Sequence, residues 1–200
     1  MPPKPKFTKE EIVETAFQMT REKGFASVTA RELGKRLGTS STPIFTAFRN
    51  MNELCAEVRR LAMKEFEKYV ENILDYTPAF KKFGFQMIRF ATEEPQLFRV
   101  IYMEMNEEGK SFEEMIRNLG EPVQVCIDVI QKDYGVSRQD AQRIFRQAWI
   151  YTFSVCVLQV NKICSFSPDE ITEMLGMEFQ GSLMLVKTGK YVKKEVTENR

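Results

Sequence analysis

Apolar residues recur at helical spacing along nearly the whole chain. Between Thr8 and Lys23, Ile12, Val13, Ala16, Phe17 and Met19 fall on one side of a 3.6-residue repeat. Thr8 and Glu11 stand at capping-box spacing before that stripe, and Gly24 follows it as a left-handed C-terminal cap. Thr29 and Glu32 repeat the capping signature ahead of a short second helix with Ala30, Leu33 and Leu37 on one face. Gly38 then forces a turn. Ser40 is placed to cap a third helix that tolerates Pro43 in its first turn, with Ile44, Phe45 and Phe48 as its apolar side. Asn50 and Glu53 open a fourth helix. Leu54, Val58, Leu61, Ala62, Tyr69 and Ile73 hold one face of it to about Asp75, before Pro78.

The pattern continues to the C-terminus. Helices are predicted near 79–93, 96–105, 111–119 and 122–134, with Pro95, Gly109, Gly120, Pro122 and Gly135 as punctuation. Two long helices close the chain. Ser137 with Asp140 opens one that reaches about Cys164. Ser167, Pro168 and Glu170 open the other, which ends near Gly189. From Lys190 the charged tail is expected to fray. The fold class is all-α, with a three-helix N-terminal head on a larger helical body. The expected division is 1–52 for the head and 53–200 for the body.

Composition narrows the function. The 43% hydrophobic content supports a packed core, and no run of about 18 apolar residues is present to span a membrane. Nothing at the N-terminus resembles a signal peptide, so a cytoplasmic protein is expected. Cys55, Cys126, Cys156 and Cys164 show no CxxC spacing and read as free thiols. The chain has no histidine, which removes the commonest general base and metal ligand, and no enzyme motif appears. No cofactor and no metal are expected. Net charge is only +1, but its distribution is uneven. Residues 1–50 hold nine Lys and Arg against five Asp and Glu; the rest hold 20 against 23. A basic head on a mildly acidic body fits a protein whose head alone meets phosphate.

Residues 29–48, TARELGKRLGTSSTPIFTAF, are the informative stretch. Two short helices meet across Leu37-Gly38-Thr39, which is helix-turn-helix geometry. A mid-helix glycine costs about 1 kcal/mol relative to alanine, so Gly34 needs a reason, and close approach of the third helix supplies one. Leu33 and Leu37 are expected to pack on Ile44 and Phe48. The third helix then exposes Ser41, Thr42, Thr46 and Arg49, short hydroxyls and a cation able to reach base edges and phosphates in a major groove.

The stretch Thr8–Leu54, and within it GTSSTPIFTAFRNMNEL from Gly38 to Leu54, resembles the TetR (tetracycline-repressor-like) family of regulators. The resemblance implies a homodimer that binds a pseudo-palindromic double-stranded DNA operator, represses transcription, and releases DNA when a small effector binds the C-terminal domain. Thr29 sits where the family caps helix two and touches phosphate. Ser40, Ser41, Thr42, Phe45, Thr46 and Arg49 complete the implied DNA-binding set. Phe45 stands where a tyrosine is usual and Met51 where a lysine is common, so two backbone contacts are lost. The basic residues Lys4, Lys6 and Lys9 are equally readable as a phosphate-touching arm or as a solubilising tail. Farther along, Trp149-Ile150-Tyr151-Thr152-Phe153-Ser154 is similar to the tryptophan segment of a family C-terminal domain that carries His-Gly in place of Phe153-Ser154.

The two terminal helices carry apolar residues on more than one face: Tyr151, Val155 and Leu158 on the first, Leu175, Phe179, Leu183 and Val186 on the second. In the family such helices pair with their copies. The chain also holds 16 Phe, 11 Met and one Trp, many of them between residues 80 and 153. Phe98, Tyr102, Met103, Trp149 and Phe153 are the candidate lining of a pocket for a small apolar or aromatic effector, each also readable as plain core. The rival to a ligand-responsive repressor is a helical small-molecule-binding or protein-interaction module whose head no longer binds DNA.

Overall fold

The computed structural model describes residues 7–76, 78–104, 111–117 and 121–189. Among them all regular structure is helical: α1 (Lys9–Lys23), α2 (Ala30–Arg36), α3 (Thr42–Ala47), α4 (Met51–Val70), α5 (Ala79–Glu93), α6 (Pro95–Tyr102), α7 (Phe112–Arg117), α8 (Glu121–Tyr134), α9 (Arg138–Val160) and α10 (Pro168–Thr188). The expected all-α class holds, and the helices fall close to their predicted spans.

Capping explains most boundaries. The Thr8 hydroxyl accepts the Glu11 N–H at 3.1 Å while Glu11 accepts the Thr8 N–H at 2.8 Å, a complete capping box. Ser167 and Glu170 form the same reciprocal pair at the start of α10, with Pro168 at its first position. Thr29 and Asn50 form only half of the predicted box. Thr29 accepts from Glu32, but its own N–H is taken up by the Ser27 carbonyl at 3.1 Å. Asn50 accepts from Glu53, whose carboxylate turns instead to Lys9 and the Arg49 N–H.

Three predicted ends are corrected. Gly24 has φ 83° but ψ 158°, so it leaves α1 in an extended geometry rather than a left-handed cap. α4 stops at Val70, and Ile73–Asp75 is a separate 3-10 turn. α9 ends at Val160, followed by Lys162 at φ 55°, so Cys164 lies beyond it and is exposed; Cys55, Cys126 and Cys156 are buried.

The chain divides into two compact units, Met1–Asn72 with Gln86–Leu119, and Ile73–Phe85 with Gly120–Arg200. This division differs from a boundary at residue 52, because α4 and α6 cluster with the N-terminal helices. In the first unit α1 packs on α2, α4 and α6, and α2 packs on α3. Its buried residues include Ile12, Ala16, Leu33, Ile44, Phe48, Leu54, Val58, Ala62, Phe66, Leu97 and Phe98. On α4 the buried positions Leu54, Val58, Ala62, Phe66 and Val70 follow one another at four-residue steps, a single stripe along the helix.

α6 is tied at both ends. At its N-terminus Arg21 of α1 forks onto Glu94, with Nε 2.8 Å from Oε2 and a second bond from Nη2 to Oε1. At its C-terminus Arg59 of α4 donates Nε to the Val100 carbonyl at 2.9 Å and Nη2 to the Glu104 carbonyl. Beside them the Tyr69 hydroxyl donates to Glu93 at 2.9 Å. Burial first, and this bond second, push the Tyr69 phenol from 10 up to about 12.

In the second unit α9 packs on α8 and α10. Phe80, from the start of α5, stands 6.1 Å from Phe145 and 5.1 Å from Phe179, and Tyr134 closes on Phe179 at 5.0 Å, all between ring centroids. Phe179, half-buried, thus packs within this unit. The outward face of α10 carries Met177, Gly181, Met184 and Leu185, with Met177 and Met184 each 68% exposed and Leu185 47%. Among the 21 residues of α10 only Ile171 is fully buried. Of the stripe expected from sequence, Leu175, Phe179, Leu183 and Val186 are all half-buried.

Candidate nucleic-acid interface

The turn between α2 and α3 is built around two glycines. Gly38 adopts φ 67°, where a side chain is strained. Gly34 is buried, and a Cβ on it would lie 2.8 Å from the Ser40 carbonyl oxygen and 3.0 Å from that of Thr39. The close neighbour is thus the backbone of the turn, not the third helix expected from sequence. The Thr39 N–H donates to the Gly34 carbonyl at 2.8 Å and fixes that approach. Leu33, Ile44 and Phe48 are buried as predicted, whereas Leu37 is half-buried.

α3 starts one residue later than Ser40 would place it. Its N-cap is Ser41, half-buried and without a side-chain capping bond. Ser40 is exposed; its hydroxyl accepts the Thr42 N–H at 3.4 Å and donates to the Thr42 hydroxyl at 3.2 Å. Thr42, Phe45 and Thr46 are exposed at i, i+3 and i+4, so they share one face. Phe45, grouped by sequence with the apolar core side, is 55% exposed. One residue past Ile44 on a helix is about 100° around, and Ile44 takes the inward position. Arg49 is exposed but lies beyond α3. The helix ends at Ala47, Phe48 is extended at φ −130°, and Arg49 sits in the link to α4.

Thr29 is exposed at the N-cap of α2. Lys9 belongs to α1: its ammonium lies 2.9 Å from Glu53 and 4.8 Å from the Phe48 ring centroid. Lys9 thus braces α1 to the start of α4. Lys4 and Lys6 lie outside the described residues. Glu53, bonded to the Arg49 N–H and Lys9, is held below the usual carboxylate range. Two exposed cations on α2, Arg31 and Lys35, were not singled out from sequence; their helical spacing of four was the available signal. Arg36 on the same helix pairs with Glu22 at 2.6 Å.

An exposed stripe of hydroxyls beside cations, on a short helix fixed by a glycine turn, suits a helix presented to a DNA groove. Residues 12–58 match the family model described as "Bacterial regulatory proteins, tetR family". The chain carries the DNA-binding head of the TetR family. It is accordingly a DNA-binding transcriptional regulator. No curated protein matches it.

The five candidate effector residues fall in both units. In the first, Phe98 is fully buried, Tyr102 is buried 4.8 Å from it between ring centroids, and Met103 is 39% exposed. In the second, Trp149 is buried and stacked on half-buried Phe153 at 5.2 Å. A separate cleft of about 700 Å³ lies between α9 and α10, lined by residues that include Arg143, Gln147, Glu178, Gly181 and Leu185. No helix among the described residues is long and apolar enough to cross a membrane.

Proposed function

We propose that this chain is a ligand-responsive repressor that binds a pseudo-palindromic operator as a homodimer. The observation that carries the DNA reading is the solvent-facing row Thr42, Phe45 and Thr46 on α3, with Arg49 just past it. The dimer reading is supported by α10, whose exposed Met177, Gly181 and Leu185 line the α9–α10 cleft, with Met184 also exposed on the helix, an apolar face suited to a second apolar surface. The ligand response is supported by the ring-rich interior around Phe98 and Tyr102 and around Trp149 and Phe153. An apolar or aromatic effector favours the conformer in which the two heads of the dimer no longer match the half-site spacing, and α4 is the lever.

Selection from random duplexes, followed by titration at several salt concentrations, tests this function. A regulator of this kind selects two half-sites related by two-fold symmetry, about one helical turn or a multiple of it apart. Arg49→Ala lowers the salt slope by about one, while Thr42→Ala costs roughly 1–3 kcal/mol on the selected site and leaves the slope unchanged. Absence of duplex binding at low salt refutes the reading.

A further inference from the structure

Phe45 is poorly explained by folding. The apolar side of α3 is already supplied by Ile44 and Phe48, both buried, while Phe45 turns 55% of its surface to solvent within the row of hydroxyls. We infer that Phe45, together with the methyl group of Thr46, reads thymine C5-methyl groups in each operator half-site, an inference that rests on the DNA-binding reading.

A phenyl ring has neither donor nor acceptor, so it cannot bond a phosphate oxygen or a polar base edge. In the major groove the apolar feature of a base pair is the thymine methyl, and Phe and Thr methyl groups are side chains that suit it. Thr46 is arranged for the same task. Its hydroxyl donates to the Thr42 carbonyl at 3.0 Å, so its proton is taken up within the helix and its methyl remains for an outside contact. Thr42 differs. Its hydroxyl accepts from Ser40, and among the described residues no hydrogen bond takes up its own proton. The row therefore divides into a donor at Thr42, suited to an acceptor such as guanine N7 or O6, and an apolar pair at Phe45 and Thr46. Sequence treats the two threonines alike; their hydrogen bonds separate them.

The test uses the full chain and a duplex selected by it. Each thymine of one half-site is replaced in turn by deoxyuridine, which removes the methyl and nothing else. Wild type is expected to lose affinity about three- to five-fold at one or two positions, the scale of one buried methyl group. Phe45→Ala is expected to bind the thymine duplex more weakly and to show no further loss at those same positions. Because Phe45 is exposed, its melting temperature should match wild type. If Phe45→Ala abolishes binding, Phe45→Leu takes its place in the same comparison, with a changed methyl effect expected and an unchanged one overturning the inference. Duplex binding that ignores every methyl, or a methyl effect equal in wild type and Phe45→Ala, overturns the inference and leaves the DNA reading intact. No binding to any duplex at low salt overturns both.

Discussion

Gly34→Ala isolates the turn that presents α3. In an ordinary helix interior this change stabilises by about 1 kcal/mol, because alanine has less backbone freedom to lose. Here the new Cβ would lie 2.8 Å from the Ser40 oxygen, 2.9 Å from the Ser40 carbonyl carbon and 3.0 Å from the Thr39 oxygen. All three are backbone atoms, and the Thr39 N–H bond to the Gly34 carbonyl holds them in place. No flexible side chain can swing aside, so the turn itself must move by several tenths of an ångström. Overpacking of this kind costs typically about 1–3 kcal/mol. Set against the helix gain, the net is a loss of up to about 2 kcal/mol. The effect on DNA should exceed the effect on stability, since α3 begins at the displaced residues. Urea denaturation and operator titration measure the two. A variant stabilised by about 1 kcal/mol with unchanged operator affinity would show that the turn does not press on Gly34.

Arg21→Ala should cost about 1–3 kcal/mol in chemical denaturation, because it strands the Glu94 side chain, only 11% exposed, without its guanidinium; the figure is kept modest because Arg21 is itself 38% exposed. Glu94→Gln should cost less, and equal losses for the two would argue against a stranded carboxylate. Tyr69 holds its proton to about 12 in the folded state against 10 in the free chain, so the stability it contributes is complete below pH 10 and declines from there towards pH 12. Ultraviolet titration of Tyr69→Phe against wild type should remove one high-pH tyrosinate step, and its absence from the difference would refute the assignment. Leu185→Glu, at an exposed position, should yield folded monomers in light scattering, whereas Phe179→Glu should unfold the protomer by breaking its contacts with Phe80 and Tyr134. A Leu185→Glu dimer would move the interface elsewhere.

Local signals carried most of the fold. Thr8, Ser137 and Ser167 cap where their spacing placed them, and the all-helical class follows from periodicity alone. What periodicity does not encode is the rotation of a short helix. Phe45 is one residue from Ile44, and in a six-residue helix an apolar count cannot decide which of the two turns inward. The same limit applies to Phe179 on α10, whose inward direction depends on Phe80, some hundred residues away. Gly34 was legible as a close approach, but its neighbour, the turn backbone, follows from a carbonyl position that no residue type records. At the site, Thr29, Ser40, Thr42, Phe45, Thr46 and Arg49 all reach the surface, while the helix end at Ala47 separates Arg49 from the row.

The head is not a bead on a linker. The segment of its first three helices buries Ile12, Val13, Phe17, Met19, Val28, Leu33, Ile44 and Phe48, and a piece of that size is marginal as an independent fold. α4 and α6 add Leu54, Val58, Leu97 and Phe98, and these helices belong to the same compact unit as α1. Charge-assisted bonds then fasten α6 to both neighbours, Arg21 of α1 at one end and Arg59 of α4 at the other. A displacement of α6 must therefore carry α1 and α4 with it or break these bonds. Where the bonds hold, α3 is carried along, because α2 lies on α1 and α3 on α2. While those bonds persist, packing couples the exposed row on α3 to α6, and a coupling of this kind is what the proposed effector response requires.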